Sequence, residues 1–497
     1  TIFGKIISVD DSQATKIPGV KAVVRTERPM PSGNIEAVAV VATSYWAALK
    51  GRRALAVNWD TSGYDEQMTS QRYTNDLKAA VGKPSATYTK SGDVNAALAA
   101  AAVRLEGLYE TPFLAHAPME PEVTVAHVKD DGSCEIWASV QGTDMAKMQA
   151  AGYLKIPAEK VTVHMPFLGG GFGRKGSFDF MLEAINVSRQ VKAPVKVIWT
   201  REDDITQGPY RPAMLSAMRG GIDAAGQVVA FEHTFIGESL SRQVFRAPLG
   251  DKAEDFAGES ISAKESPYAF PNAHIGYINV QTDIPITFWR SVYSSNNVFG
   301  HESFMDELAH ASHKDPLALR LDLLKGQDDE VARRFSIVLE TLAQKSGWDK
   351  PLAAGKGKGI AISRAFESIC AHAVFVSVKN KVVKVDRVVS VLDCGMYVNP
   401  DNVRAQTEGN IVMGLTAATK QGITFTKGRA DQSNFDTYPV LRINEMPRIE
   451  IHLIENEAAP GGVGEPGLPP LAPALCNAIF SATGKRFRKL PIDMNAV

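Results

Sequence analysis

The chain has 497 residues, 44% of them hydrophobic and 22% charged, with 54 Lys and Arg set against 55 Asp and Glu. A net charge of −1 supplies no attraction for nucleic acid or an anionic membrane surface, and the length calls for two or three domains, each with its own core. Cys134, Cys370, Cys394 and Cys476 lie far apart without a C-x-x-C pair, which argues against a disulfide framework, a thiolate zinc site or an iron–sulfur cluster on this chain; no apolar run reaches the roughly 18 residues that span a bilayer.

The sequence opens at Thr1 without methionine and already in strand-like residues, TIFGKIISVD, which reads as a processed or split polypeptide. KAVVRT and IEAVAVVAT alternate as strands, SYWAALKGRRAL is helical and LAVNW is again a strand, so residues 1–63 form a small α/β domain. Residues 64–93 are polar and turn-rich, the composition of a linker. From Val94 the pattern resumes with the strands VTVAHV and CEIWASV and the helix TDMAKMQAAGYL. A strand over Val161 to Phe167, a glycine-rich loop, a helix and the strand VKVIW then make a β-loop-α-β unit. Helices dominate from His301 to Gly347, with Asp315 as a cap and Pro316 at the first helical position. Strands AVFVSV and VVKVDRVVSVLD, the helix NVRAQTEGNIVMGLTAAT, and a last helix closed by Gly484 complete the chain. The fold class is mixed α/β with two large lobes, over 94–328 and 329–497.

Five segments carry unusual residue choices. Gly169, Gly170, Gly171, Gly173 and Gly176 crowd around Phe172, and bare N–H groups between a strand and a helix suit an anion such as phosphate. The loop fits neither the P-loop pattern nor a clean dinucleotide fingerprint, and alone it reads equally as a plain turn. His116, Met119 and Glu120 precede a strand, Gln141 ends one, and Arg290 stands beside two aromatics, ahead of Asn296 and Asn297. Glu465 sits in GGVGEPGLPPLAP, where Gly and Pro hold it rigidly before a helix N-terminus, the setting of an ionised base. Each has a blander reading: Glu465 as a solvated turn residue, Gln141 as a strand-end partner, Arg290 as a surface stacking residue, His116 as structural.

GGGFGRK, TFWRSVYSSNNVFGHESFMDELA, LDCGMYVNPDNVRAQTEGNIVMGL and GGVGEPGLPPLAPALCNAI resemble, in that order, the molybdenum-binding subunit of the xanthine dehydrogenase and aldehyde oxidase family. WRSV and NFDTYPVLRINEMPRIEIHLI mark a likeness to its isoquinoline 1-oxidoreductase branch. The resemblance covers nearly the whole chain. It implies a hammerhead domain over 1–63 and molybdopterin-binding lobes over 94–328 and 329–497. The implied cofactor is molybdopterin with molybdenum, in this branch as its cytosine dinucleotide, the metal held through the dithiolene with no protein ligand.

Carried onto this sequence, the resemblance gives Gln141 a hydrogen bond to an oxo ligand of the metal and sets Gly171 and Phe172 on the metal's other side. Gly169, Gly170, Gly173 and Arg174 belong to the same cofactor-binding loop, Phe288, Trp289 and Arg290 lie along the pterin, and Gly464 stands next to the catalytic base Glu465. The implied reaction is hydroxylation of an N-heteroaromatic compound or an aldehyde with oxygen from water, Glu465 taking the proton. Electrons would leave through a small subunit with two [2Fe–2S] clusters, and in this branch often on to a cytochrome c. The family segment E-M-G-Q-G-x-x-T is not found here, so a second polypeptide carrying that N-terminal region is expected. Both periplasm and cytoplasm stay open. The competing readings are a cofactor-free scaffold of the same fold and a nicotinamide-dependent dehydrogenase, the latter lacking a clean G-x-G-x-x-G.

Overall fold

A computed structural model describes residues 2–31, 33–62, 68–247, 254, 256–495 and 497. Thr1 and the domain boundary expected at 63–64 lie outside the described residues. At the N-terminal end, Lys5–Asp10 pairs antiparallel with Ala56–Asp60, and Val20–Arg28 with Ile35–Ala42. The helix Tyr45–Ala54 begins where Ser44 Oγ accepts the Ala47 N–H, the role expected of a serine before an apolar run.

Residues 68–93 differ from the expected linker. They contain the helix Ser70–Ala79 and the strand Ala86–Ser91, which is the edge of a five-stranded sheet. The reason is physical. That helix buries only Tyr73 and Leu77, and an edge strand keeps polar residues, so neither element carries enough apolar sequence to stand out.

The five-stranded sheet runs in the order Ala86–Ser91, Ala273–Asn279, Val228–Gly237, Met214–Ile222, Val103–Thr111, with only the second and third strands parallel. A four-stranded sheet, Val195–Ile198, Val123–Val128, Cys134–Ala138, Val161–His164, lies under the helix Asp179–Val191. The expected β-loop-α-β unit forms, but two antiparallel strands separate its first and last strands. In the C-terminal half Lys356–Ala365, Ser368–Lys379, Val382–Asp393 and Arg448–Leu453 make a second four-stranded sheet.

The helix Ser294–Ala311 joins the two halves and is buried from Ser294 to Ala309 although half its residues are polar. Its acids have guanidinium partners from elsewhere in the chain: Glu302 with Arg320, Asp306 with Arg486, Glu307 with Arg488. Burying charge is tolerable only when it is paired and hydrogen-bonded, and here every acid of the helix is.

The last helix, Leu471–Thr483, lies on the strand Lys356–Ala365. Side chains at Gly357 and Gly359 would collide with the backbone of Ala474, Ala478 and Ala482, so only glycine permits this approach. The same helix follows directly on the Glu465 segment, and its seat fixes where that segment ends. Gly359→Ala is expected to cost about 3 kcal/mol, the upper end of overpacking penalties, as a fall in the denaturant midpoint. Gly152→Ala, in the helix Thr143–Leu154 with open space around it, is expected to be neutral or stabilising by up to about 1 kcal/mol.

Candidate active site

The strand Val161–His164 ends earlier than expected, and the chain runs on through an open segment into the glycine loop. Within that loop Gly170, Phe172 and Gly173 are all left-handed, with φ of 93°, 55° and 103°. A Cβ at Gly169 would strike Glu120, one at Gly171 would strike the Gln141 carboxamide, and one at Gly173 would strike the Phe288 carbonyl. The protein's own side chains and backbone therefore demand Gly169, Gly171 and Gly173, whether or not a ligand approaches them.

The Gly169 N–H donates to Glu120 Oε2 at 2.8 Å and the Gly173 N–H to Gln141 Oε1 at 2.9 Å. Between them the N–H groups of Gly170, Gly171 and Phe172 meet no protein acceptor among the described residues. Successive free amides in such a turn form a concave nest for an anion. Gln141 is exposed, and with its Oε1 engaged its amide nitrogen is left to donate outward. Glu120 also takes Lys175 Nζ and Ser139 Oγ; burial alone would raise its pKa, but Lys175 and the Gly169 amide hold it below the usual carboxylate range.

Arg174 turns the other way. It is 1% exposed, and its guanidinium donates to both Asp179 oxygens, at 2.6 and 2.9 Å, beside Glu122. Arg28 of the N-terminal unit reaches the same Asp179 at 3.4 Å. The side chain of Arg174, expected in the cofactor-binding loop, thus anchors the loop from beneath. Trp289 is likewise buried, with the Arg211 guanidinium over its ring.

The segment 288–294 lies against the loop. Burial drives His116 down to about 3, so it is neutral, and its Nε2–H donates to the Phe288 carbonyl at 2.7 Å. The Arg290 N–H donates to the Phe172 carbonyl at 3.0 Å, with its guanidinium over the Phe172 ring. Ser291 and Val292 are left-handed, at φ 75° and 47°, and this reversal swings the chain into the helix Ser294–Ala311. Two such residues in a row store strain that the surrounding contacts must hold.

Glu465 arrives from the other half of the chain. Its segment is tied by Gly461 N–H to the Cys394 carbonyl, Gly462 N–H to the Phe366 carbonyl, and Ser368 Oγ to the Gly462 carbonyl. The buried His372 Nε2 lies 2.6 Å from the Gly467 carbonyl. Arg290 donates through Nε to the Gly464 carbonyl at 2.8 Å, and through Nη2 to that carbonyl and to Gln406. Ser291 donates its N–H to Glu465 Oε1 at 3.3 Å and its Oγ–H to the Glu465 carbonyl at 2.8 Å. Burial raises the Glu465 pKa against the opposing pull of the Ser291 amide and the Arg290 charge. Arg290 itself is lowered to about 10 by burial and stays charged at neutral pH.

Gln141, Gly169 to Gly173, Phe288 to Arg290 and Gly464 with Glu465 are thus linked by direct contacts into one site. Sequence reasoning missed the side chains that hold it: Ser291, Lys175, His372 and Gln406. Glu120 stood out in the sequence but gave no hint of its partners. Among the described residues no group of His, Cys, Asp and Glu is placed to hold a metal ion, and no helix is long and apolar enough to cross a membrane. All four cysteines are free and buried.

Two family models described as molybdopterin cofactor-binding domain match residues 78–323 and 328–447. The chain is 31% identical, over 97% of its length, to isoquinoline 1-oxidoreductase subunit beta of Brevundimonas diminuta, of which it spans 62%. It is also 31% identical, over 98% of its length, to the membrane-bound aldehyde dehydrogenase [pyrroloquinoline-quinone] of Gluconacetobacter polyoxogenes, of which it spans 66%. Among solved structures, quinoline 2-oxidoreductase from Pseudomonas putida 86 superposes with a TM-score of 0.78 at 14% identity, covering 99% of this chain and 92% of that one, which speaks for the fold alone. With motifs, fold and both domain matches in agreement, the chain belongs to the molybdenum-binding subunits of the xanthine dehydrogenase and aldehyde oxidase family, in its isoquinoline 1-oxidoreductase-like branch.

Proposed function

We propose that this chain is the molybdopterin-bearing part of a hydroxylase that oxidises an N-heteroaromatic compound or an aldehyde with oxygen from water. The observation that carries the reading is the meeting of a partly buried carboxylate, Glu465, with a nest of free amides, both tied to Arg290. The residues fit the cofactor: three adjacent N–H donors at Gly170 to Phe172 and the outward amide of Gln141 suit an anionic, oxygen-rich group. Gly464, where an added Cβ would meet nothing within 4 Å, leaves space next to the acid. The domain division at 94–328 and 329–497, the cytosine dinucleotide form, a [2Fe–2S] partner, a cytochrome c acceptor and a second polypeptide bearing the E-M-G-Q-G segment belong to the same proposal.

When bound, the cofactor supplies a two-electron acceptor and an activated, water-derived oxygen. Glu465 would accept the proton released as substrate is oxidised, and burial, which raises its pKa, favours the protonated state that results. Arg290 does not touch the reacting atoms in this scheme; it positions the base by holding the Gly464 carbonyl. The Gly170 to Phe172 amides and Gln141 would hold the cofactor, and Phe288 to Arg290 would add backbone contacts to it.

In the intact complex, Glu465→Gln is expected to keep molybdenum and pterin at wild-type stoichiometry while kcat falls by about 10²–10⁴-fold, the usual share of a general base. Wild-type turnover in that variant would remove Glu465 from the mechanism. The sign for Arg290 follows from its charge, which pulls the Glu465 pKa down. In Arg290→Gln the acid limb of the kcat/KM profile is expected to move to higher pH, whereas Arg290→Lys should leave the limb near its wild-type position and lower kcat through the lost bridge to Gly464. An unmoved limb in Arg290→Gln would show that Glu465 does not set it.

A further inference from the structure

The five-stranded sheet has two unlike faces. One packs on the helix Ser294–Ala311, where a Cβ at Gly220 would strike Leu308 and Phe304. The other opens into a cleft of about 1240 Å³ that shares no lining residue with the Glu465 site. Side chains alternate across a strand, so Arg219, next to Gly220, stands on the open face in a row with its cross-strand neighbours Glu106, Glu232 and His274. The edge strand Ala86–Ser91 joins this row through a bulge. Ile275 pairs with Thr89 but Gly276 with Thr87, which makes Tyr88 the extra residue. Thr87 and Lys90 therefore share the open face, where a regular strand would place only one of them. Three groups of the row are linked: Thr87 Oγ1 lies 3.2 Å from His274 Nε2, and His274 Nδ1 lies 3.3 Å from Glu232 Oε1. The other oxygen of Glu232 accepts from Arg219 Nε, and Arg219 Nη2 donates to Asn95 at 3.1 Å. Beside Thr87, Ala217, Thr234 and Gly276 lie in register as a low floor, and a Cβ at Gly276 would strike Ser85 Oγ and the His274 ring.

We propose that this cleft is a second catalytic site, a hydrolase of aryl esters of small carboxylic acids, with Thr87 as nucleophile, His274 as base and Glu232 as a positioning residue. A carboxylate facing Nδ1 keeps the ring proton there and leaves Nε2 to accept from the hydroxyl. Hydroxyl, imidazole and orienting carboxylate in that sequence make an activated nucleophile, which is recognised by geometry and not by fold. The side chains of His274 and Glu232 are 18% and 13% exposed, so the relay is sheltered while Thr87 stays open to the cleft. Thr87 Oγ bonds to the ester carbonyl carbon as its proton passes to His274 Nε2. The bond from that carbon to the aryl oxygen breaks, and the leaving oxygen takes the proton. Water then attacks the acyl-threonine by the same route, releasing the acid and restoring the hydroxyl with no change in oxidation state. The aryl ring lies over the floor of small residues. Lys83 and Lys90 line the same cleft without an acidic partner among the described residues, and their charge offsets that of the carbonyl oxygen under attack. None of these steps involves the molybdopterin site.

The test follows release of p-nitrophenol from p-nitrophenyl acetate by the intact complex, with an acid quench and mass spectrometry to locate the acetyl group. Wild type is expected to turn over repeatedly and to carry the trapped acetyl group on Thr87. Thr87→Val, a change of similar shape on an exposed edge strand, and His274→Gln should each lower kcat/KM by about 10²-fold or more at an unchanged unfolding midpoint, and Thr87→Ser should restore activity. Glu232→Gln should lower kcat and leave KM near wild type, because it frees the imidazole and not the floor; a purely structural Glu232 would move the unfolding midpoint instead. Release by wild type no faster than by Thr87→Val would overturn the proposal. Acetyl groups found only on lysines would do the same, as would hydrolysis that Glu465→Gln abolishes and Thr87→Val keeps.

Discussion

The guanidinium of Arg290 on the carbonyl of Gly464, 174 residues away, is the contact on which the site depends. The same residue holds the glycine loop through its backbone N–H on Phe172 and the helix Pro400–Thr419 through Gln406. One side chain thus sets three segments from two halves of the chain in register. Arginine suits the task because its planar fork can donate to several carbonyls at once, and a partly buried fork exchanges less water for them than an ammonium would. Burial lowers its pKa only to about 10, so the charge that helps keep Glu465 ionised survives at neutral pH.

Beneath the glycine loop a second set of charges does the supporting. Arg174 and Arg28 share Asp179, with Glu122 next to Arg174, all in the interior. Burial, and then the neighbouring charge of Glu122, raise the pKa of Asp204 against the pull of its ion pair with Arg201. Such networks contribute less to stability than to uniqueness of arrangement, since any shift of the loop leaves a charge buried and unpaired. Arg28 belongs to the N-terminal unit and also donates to the Gln207 and Gly208 carbonyls, so the small domain helps to fix the loop's foundation without lining the site. The long helix Ser294–Ala311 follows the same logic with Glu302, Asp306 and Glu307 against Arg320, Arg486 and Arg488.

Strain and charge meet at residues 291–294. Two left-handed, non-glycine residues turn the chain sharply, and that turn presents the Ser291 amide to Glu465 before the helix begins. Without the reversal the amides would point along the backbone of an ordinary helix start. The Ser291 amide offsets part of the cost of burying the Glu465 carboxyl, yet burial still raises its pKa.

Much of the local structure was legible from residue chemistry. Asp315 caps a helix that starts at Pro316, Gly484 closes the last helix in a left-handed conformation, and the glycine loop lies between a strand and a helix. The motifs named the family, but Arg290, read as a surface stacking residue beside its neighbours, is buried and lies over the ring of Phe172. The strand and helix over 70–91 were hidden because their apolar content is small. Sequence by itself therefore determined the elements, the caps and the residue types the chemistry needs, because propensity, capping and motif spacing are local properties. Only the tertiary structure decided that Gly171 makes room for Gln141, that Arg174 faces inward, and that Arg290 reaches Gly464. Those are contacts between segments up to 174 residues apart, and nothing in the local chain encodes which distant partner a side chain will meet.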